Sequence, residues 1–138
     1  MTNAEAIVLK YLESVWNRGD TQAFEAMTTP DFAYHLGGQP PKGRPEMLQF
    51  LDMVRSAFPD WRVDVIECIA DNNRVAVRWR GEVTHLGAFH NIPPSGKRIA
   101  VSGINIYHVV DGKITAEWEQ MDSLGMLGQI GMPAPAVH

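Results

Sequence analysis

The feature that most constrains this chain is its last long run with strand character, Val101 to Asp122 (VSGINIYHVVDGKITAEWEQMD). Its two arms meet at Asp111-Gly112, the dipeptide chemistry of a hairpin turn. The second arm carries Glu117 and Glu119, and side chains two apart on a strand point to the same face. Any fold containing this hairpin therefore sets two carboxylates side by side. Two registers are open. A two-residue turn pairs Val110 with Lys113 and sets Ile104 and Ile106 beside Glu119 and Glu117. A three-residue turn with a glycine bulge shifts the pairing by one, so that Gly103, Asn105 and Tyr107 share a face with Thr115, Glu117 and Glu119. The opposite face then carries Ile104, Ile106, Ile114, Ala116 and Trp118. The second register is preferred, because it separates polar from apolar side chains where the first mixes them.

Carboxylates rarely face a packed core without purpose, so the polar face is expected to line a cavity. On pattern alone, a solvated outer surface for Glu117 and Glu119 stays open as the alternative. The Ile/Trp face has to be covered, and a homodimer through Ile104, Ile106 and Trp118 would cover it.

The rest of the chain reads as helices first and strands after. Thr2 and Glu5 have capping-box spacing, and Ile7, Val8, Tyr11, Leu12, Val15 and Trp16 follow at helical spacing to a stop at Gly19. Asp20 or Thr21 caps a second helix with Ala23, Phe24 and Met27 inward, and Asp31 to Leu36 reads as a short strand. After a Gly/Pro loop, Pro45 opens a third helix that runs to Phe58, and Pro59-Asp60 ends it. From Trp61 the period becomes two, predicting a strand to about Ala70, a turn at Asp71-Asn72-Asn73, and a long strand from Val75 to His85. Leu86 to Lys97 is a loop, Asp122 caps a last short helix, and 132–138 is expected to be a frayed tail.

Helices followed by antiparallel strands in sequence predict one α+β domain over 1–138. Its curved, mixed or antiparallel sheet would wrap around the N-terminal helices as a cone with an internal pocket. A formal charge of −4 and a pI near 5.7 argue against a nucleic-acid partner. The lone Cys68 excludes an internal disulfide, no apolar run reaches membrane-spanning length, and the start MTNAEAIVLKYLESVW does not read as a signal peptide. The expected location is therefore cytoplasmic. No His/Cys/Asp/Glu spacing matches a known metal motif, and no nucleophile elbow or phosphate loop is present.

One set of residues carries a resemblance. His85-x-Gly87 is followed by Phe89, Ile92-Pro93-Pro94-x-Gly96-Lys97, Gly103, Asp111-Gly112-Lys113-Ile114, and Glu119 with Asp122. With the helical start and Phe58-Pro59-Asp60, the chain from about Glu5 to Gly131 resembles the SnoaL-like polyketide cyclases, which have the nuclear-transport-factor-2-like cone fold. The resemblance implies an intramolecular aldol-type ring closure without metal or organic cofactor. Glu119 stands at the position of the cyclases' acid/base aspartate, and Asn105 at that of a pocket histidine. Glu is the same base on a longer arm, whereas Asn can donate a hydrogen bond but cannot move a proton.

Glu119, Asn105 and His85 are therefore the candidate catalytic residues, with a carboxylate raised by burial as base and donors polarising a carbonyl. Tyr107, Glu117, Trp16, Tyr34, His35, Trp79, Phe89 and Met121 are the candidate substrate-binding residues. His108 falls on the Ile/Trp face, His90 belongs to a loop and carries no expected role, and Phe50 is read as core. The expected activity is a cofactor-independent cyclase or isomerase acting on a small apolar carbonyl compound. A non-catalytic binding module, another cone-fold chemistry such as hydrolysis or dehydration, and a dimerising domain with a filled cone are the rivals.

Overall fold

The structure, a computed structural model, describes residues 3–131. The expected cap at Thr2 and the tail at 132–138 lie outside the described residues. Helix α1 (Asn3–Tyr11) runs directly into a π-helical segment, Leu12–Asn17, followed by α2 (Thr21–Met27), strand β1 (Thr28–Leu36) and α3 (Arg44–Ala57). Strands β2 (Asp64–Asp71), β3 (Arg74–Thr84), β4 (Arg98–Val110) and β5 (Lys113–Met121) come next, and α4 (Ser123–Gln129) closes the described chain. They form one α+β unit around a five-stranded sheet in the order β1-β5-β4-β3-β2. β1 is parallel to β5 and the other pairings are antiparallel. Among the described residues, no helix is long and apolar enough to cross a membrane.

Local chemistry accounts for most element boundaries. The carboxylates of Asp20 and Asp122 accept from the backbone N–H groups of Ala23 and Gly125, at 3.0 and 2.9 Å, and so cap α2 and α4. Pro45 lies in the first turn of α3. The first helix departs from expectation by widening. The N–H of Arg18 bonds the carbonyl of Glu13, five residues back.

The strand expected from Trp61 begins only at Asp64. Val63 donates its N–H to Asn17 Oδ1 at 2.7 Å and accepts from Asn17 Nδ2 at 3.1 Å, so its backbone groups are committed before a ladder can start. Trp61 and Val63 are buried all the same.

The final hairpin corrects the reading of its turn while keeping the faces of its second arm. Val110 pairs with Lys113 across a two-residue turn, with φ of 49° at Asp111 and 80° at Gly112. The shift comes two pairs further on. Val109 pairs with Ile114 but His108 pairs with Ala116, which makes Thr115 an extra residue in β5. Asn105 therefore opposes Glu119 and Tyr107 opposes Glu117, as the preferred register requires. Ile114, expected on the outer face, lies before the bulge and is buried. Thr115 is met by Thr29 of β1, whose hydroxyl donates to its Oγ1 at 3.2 Å.

Gly103 of β4 is where two elements approach closely. A Cβ there would stand 2.8 Å from Cζ2 of Trp79 and 2.9 Å from the carbonyl oxygen of Gln120. The backbone oxygen cannot rotate away, so Gly103→Ala is expected to cost about 1–3 kcal/mol and to displace the Trp79 indole. Urea denaturation, with near-ultraviolet circular dichroism for the indole, reads both effects.

Candidate active site

The concave side of the sheet and the helices enclose a cavity of about 240 Å³. Its walls are apolar and largely aromatic, with Trp16, Phe50, Trp61, Trp79 and Phe89 among them, and Leu12, Leu36, Val54, Val63, Met121, Met126 and Leu127 between. Buried polar groups reach it from one place, where Asn105, Tyr107 and Glu119 of the final hairpin meet. The other polar lining residues, Gln39, His90 and Ser123, are exposed and mark the mouth.

The hairpin residues form one hydrogen-bonded group. Trp79 Nε1–H donates to Asn105 Oδ1 at 2.8 Å, which turns the amide nitrogen toward the carboxyls. Asn105 Nδ2 then donates to Glu117 Oε2 at 2.7 Å, and at 3.3 Å to Glu119 Oε1 and to the Tyr107 hydroxyl. The hydroxyl of Tyr34 donates to Glu119 Oε1 at 2.7 Å. Both hydrogen bonds of Glu119 thus fall on Oε1, which leaves Oε2 for a ligand.

The two carboxyls differ. Glu117 is fully buried, its Oε1 has no hydrogen-bond partner, and burial followed by the nearby charge of Glu119 pushes its pKa up to about 8. It holds a proton at neutral pH. Burial also raises Glu119, but the Tyr34 hydroxyl and the Asn105 amide pull it back toward the ionised form. Of the two, Glu119 therefore gives up its proton the more readily, and Glu117 is the one held as the acid. Tyr107 stays protonated, because burial and then the charge of Glu117 raise its phenol well above the usual value.

Trp16, Trp79, Phe89, Met121, Tyr107, Asn105 and Glu119 all border the cavity. Tyr34 and Glu117 stand behind its wall and act on it through hydrogen bonds. His85 does not reach the cavity. It is fully buried beside Phe58, its Nδ1 receives the N–H of Ser95 at 3.2 Å, and its Nε2 has no partner among the described residues. With its backbone joined to Lys97 and Gly96 as well, it ties the loop between β3 and β4 to the sheet.

His35 is also placed elsewhere, on the outer face, where its ring stacks on Trp118 at 4.9 Å. His108 packs on the same indole at 4.6 Å. Conversely, His90, Phe50, Trp61 and Gln39 line the cavity although the sequence assigned them no site role. His90 and Gln39 come from loops, where no periodicity marks a face. Among the described residues, no group of three His, Cys, Asp or Glu could hold a metal ion.

The raised pKa of Glu117 sets a pH dependence. Between the ordinary carboxylate range and about pH 8, the folded chain keeps a proton that the unfolded chain has lost. Stability therefore falls as pH rises through that window. Glu117→Gln mimics the protonated form, so the variant is expected to match the parent near pH 5 and to lose less stability by pH 8, the slope easing by up to about 1.4 kcal/mol per pH unit. Thermal denaturation across this range checks it.

Comparison with known proteins agrees with the fold. The SnoaL-like polyketide cyclase family matches residues 6–130. AclR of Streptomyces galilaeus, a proposed hydroxylase, superposes with a TM-score of 0.86 at 25% identity, over 97% of this chain and 84% of its own. IdmH of Streptomyces antibioticus, a proposed polyketide cyclase, gives 0.83 at 26% identity, over 95% of this chain and 100% of its own. A proposed SnoaL-like polyketide cyclase from a Jannaschia species shares the fold at a TM-score of 0.88 and 22% identity, with 95% and 93% covered. No curated protein matches the sequence. The chain belongs to the SnoaL-like polyketide cyclase family.

Proposed function

We propose that this protein is a cofactor-independent cyclase or isomerase acting on a small apolar carbonyl compound through an enolate. The observation that carries the reading is the free oxygen of Glu119 on the wall of an apolar cavity, backed by a protonated Glu117. The family match and the likeness to IdmH support a cyclase-type role.

In the proposed step, Glu119 removes a proton from the carbon next to the carbonyl, and the bonding pair passes to the carbonyl oxygen. The Tyr107 hydroxyl, kept protonated by burial, is the donor placed to stabilise that oxygen. The enolate carbon then attacks a second carbonyl within the same molecule, or takes a proton back at another position. Asn105 is fully engaged in holding the carboxyls, so its role is to position Glu119. With no imidazole in the group, Glu119 both takes the proton and returns it.

Exchange of the α-hydrogens of 2-tetralone in deuterated water, followed by NMR, tests the base. Glu119→Gln is expected to slow exchange at least 100-fold while leaving affinity within about threefold. Tyr107→Phe is expected to slow it about tenfold. Binding without exchange in the parent protein would leave a non-catalytic binding module.

We also propose that a second copy of the chain covers the outer face of β4 and β5. Ile104, Ile106 and Trp118 are 52, 44 and 39% exposed there, side by side. Ile106→Asp is expected to convert a dimer to monomers in sedimentation velocity, and a parent protein that is monomeric at micromolar concentration would overturn the assignment.

A further inference from the structure

The walls of the cavity say more about the substrate than its catalytic corner does. Three indoles line it in an unbroken chain, Trp16 to Trp61 at 6.2 Å and Trp61 to Trp79 at 6.2 Å between ring centres. Each is braced from behind or from the side. Phe58 packs on Trp61 at 5.8 Å, Phe50 meets Trp16 at 6.2 Å, and Trp79 is held by its hydrogen bond to Asn105. None of the three can swing aside alone without breaking contacts with the next, so this wall is a fixed one. Successive indole planes are inclined at 52° and 61°, so the wall offers ring edges as well as faces to an apolar occupant.

Size then sets the limit. An apolar cavity of about 150 Å³ accepts a single benzene ring, and small-molecule sites generally span about 300–1,000 Å³. At about 240 Å³ this cavity lies between the two. The polar groups are also divided. Glu119 and Tyr107 stand at the buried end, while Gln39, His90 and Ser123 stand at the mouth.

We propose that the substrate is an apolar compound of one to two fused rings, with its acidic C–H and carbonyl at the buried end and any second polar substituent at the mouth. A scaffold of three or more fused rings is too large for the cavity's volume. The orientation rests on the reading of Glu119 as the base, whereas the size limit stands on the cavity's volume alone.

Calorimetric titration of the intact protein with cyclohexanone, 2-tetralone and anthrone, ketones of one, two and three rings, tests this. The expected result is a dissociation constant for 2-tetralone at least tenfold below those of both others. Anthrone binding as tightly as 2-tetralone, or no binding by any of the three, would overturn the size limit. Phe50→Ala, and separately Leu127→Ala, enlarge the half-buried part of the lining. Either is expected to bring anthrone to within about threefold of 2-tetralone, and two folded variants that leave the ranking unchanged would also overturn the proposal. The deuterium exchange described above separates the two readings. The expected ranking without exchange upholds the size limit and removes Glu119 as base, and exchange with no size ranking does the reverse.

Discussion

Two carboxyl groups cannot sit together in the interior of a small domain unless something divides the charge between them, and here that something is the side-chain amide of Asn105. Its nitrogen lies between Glu117 and Glu119, and its orientation is not arbitrary. An amide turned the other way would aim oxygen at oxygen. The indole N–H of Trp79, which can only donate, holds the amide oxygen and so decides the matter. That indole in turn needs the bare backbone at Gly103 to lie against β4. A glycine, an indole, an amide and two acids thus form a single dependency, each member meaningful only through the next.

Much of this was legible from local chemistry. Caps at Asp20 and Asp122, a proline in the first turn of α3, and a hairpin at Asp111-Gly112 are decided by residues within a few positions of one another. So was the sorting of Glu117 and Glu119 away from Trp118, because alternation within one strand survives whichever turn is used, whereas the place of Ile106 on the Trp118 face depends on the one-residue shift. What escaped depends on distant partners. The extra residue in β5 is Thr115, met by Thr29 from the parallel edge strand, and nothing within the hairpin announces it. Trp61 and Val63 have a strand's alternation, yet a side chain from the first helical segment occupies the backbone of Val63. His85 was legible as a special residue but not as a loop anchor, since Ser95, the group that engages it, returns from ten positions away.

The motif that carried the family resemblance also has a physical reading. Gly87 abuts the carbonyl of Ser56 at the end of α3, where a Cβ would stand 2.3 Å away, and Gly96 takes a φ of +70° on the way back to β4. Together with His85 these residues fold the β3–β4 loop onto the helix, and the loop delivers Phe89 and His90 to the cavity. A pattern that looks catalytic because it contains a histidine is thus mainly architectural. The buried carboxyls stand in the hairpin instead.

The four tryptophans have a consequence of their own. Trp16, Trp61 and Trp79 surround the cavity, while Trp118 lies on the opposite side of the sheet between two imidazoles. Intrinsic emission from this protein is therefore two signals rather than one. An occupant of the cavity meets three coupled indoles and leaves the fourth untouched, whereas a neighbour docking on the sheet meets only the fourth. The chain carries built-in optical reporters for its inside and its outside, without a label.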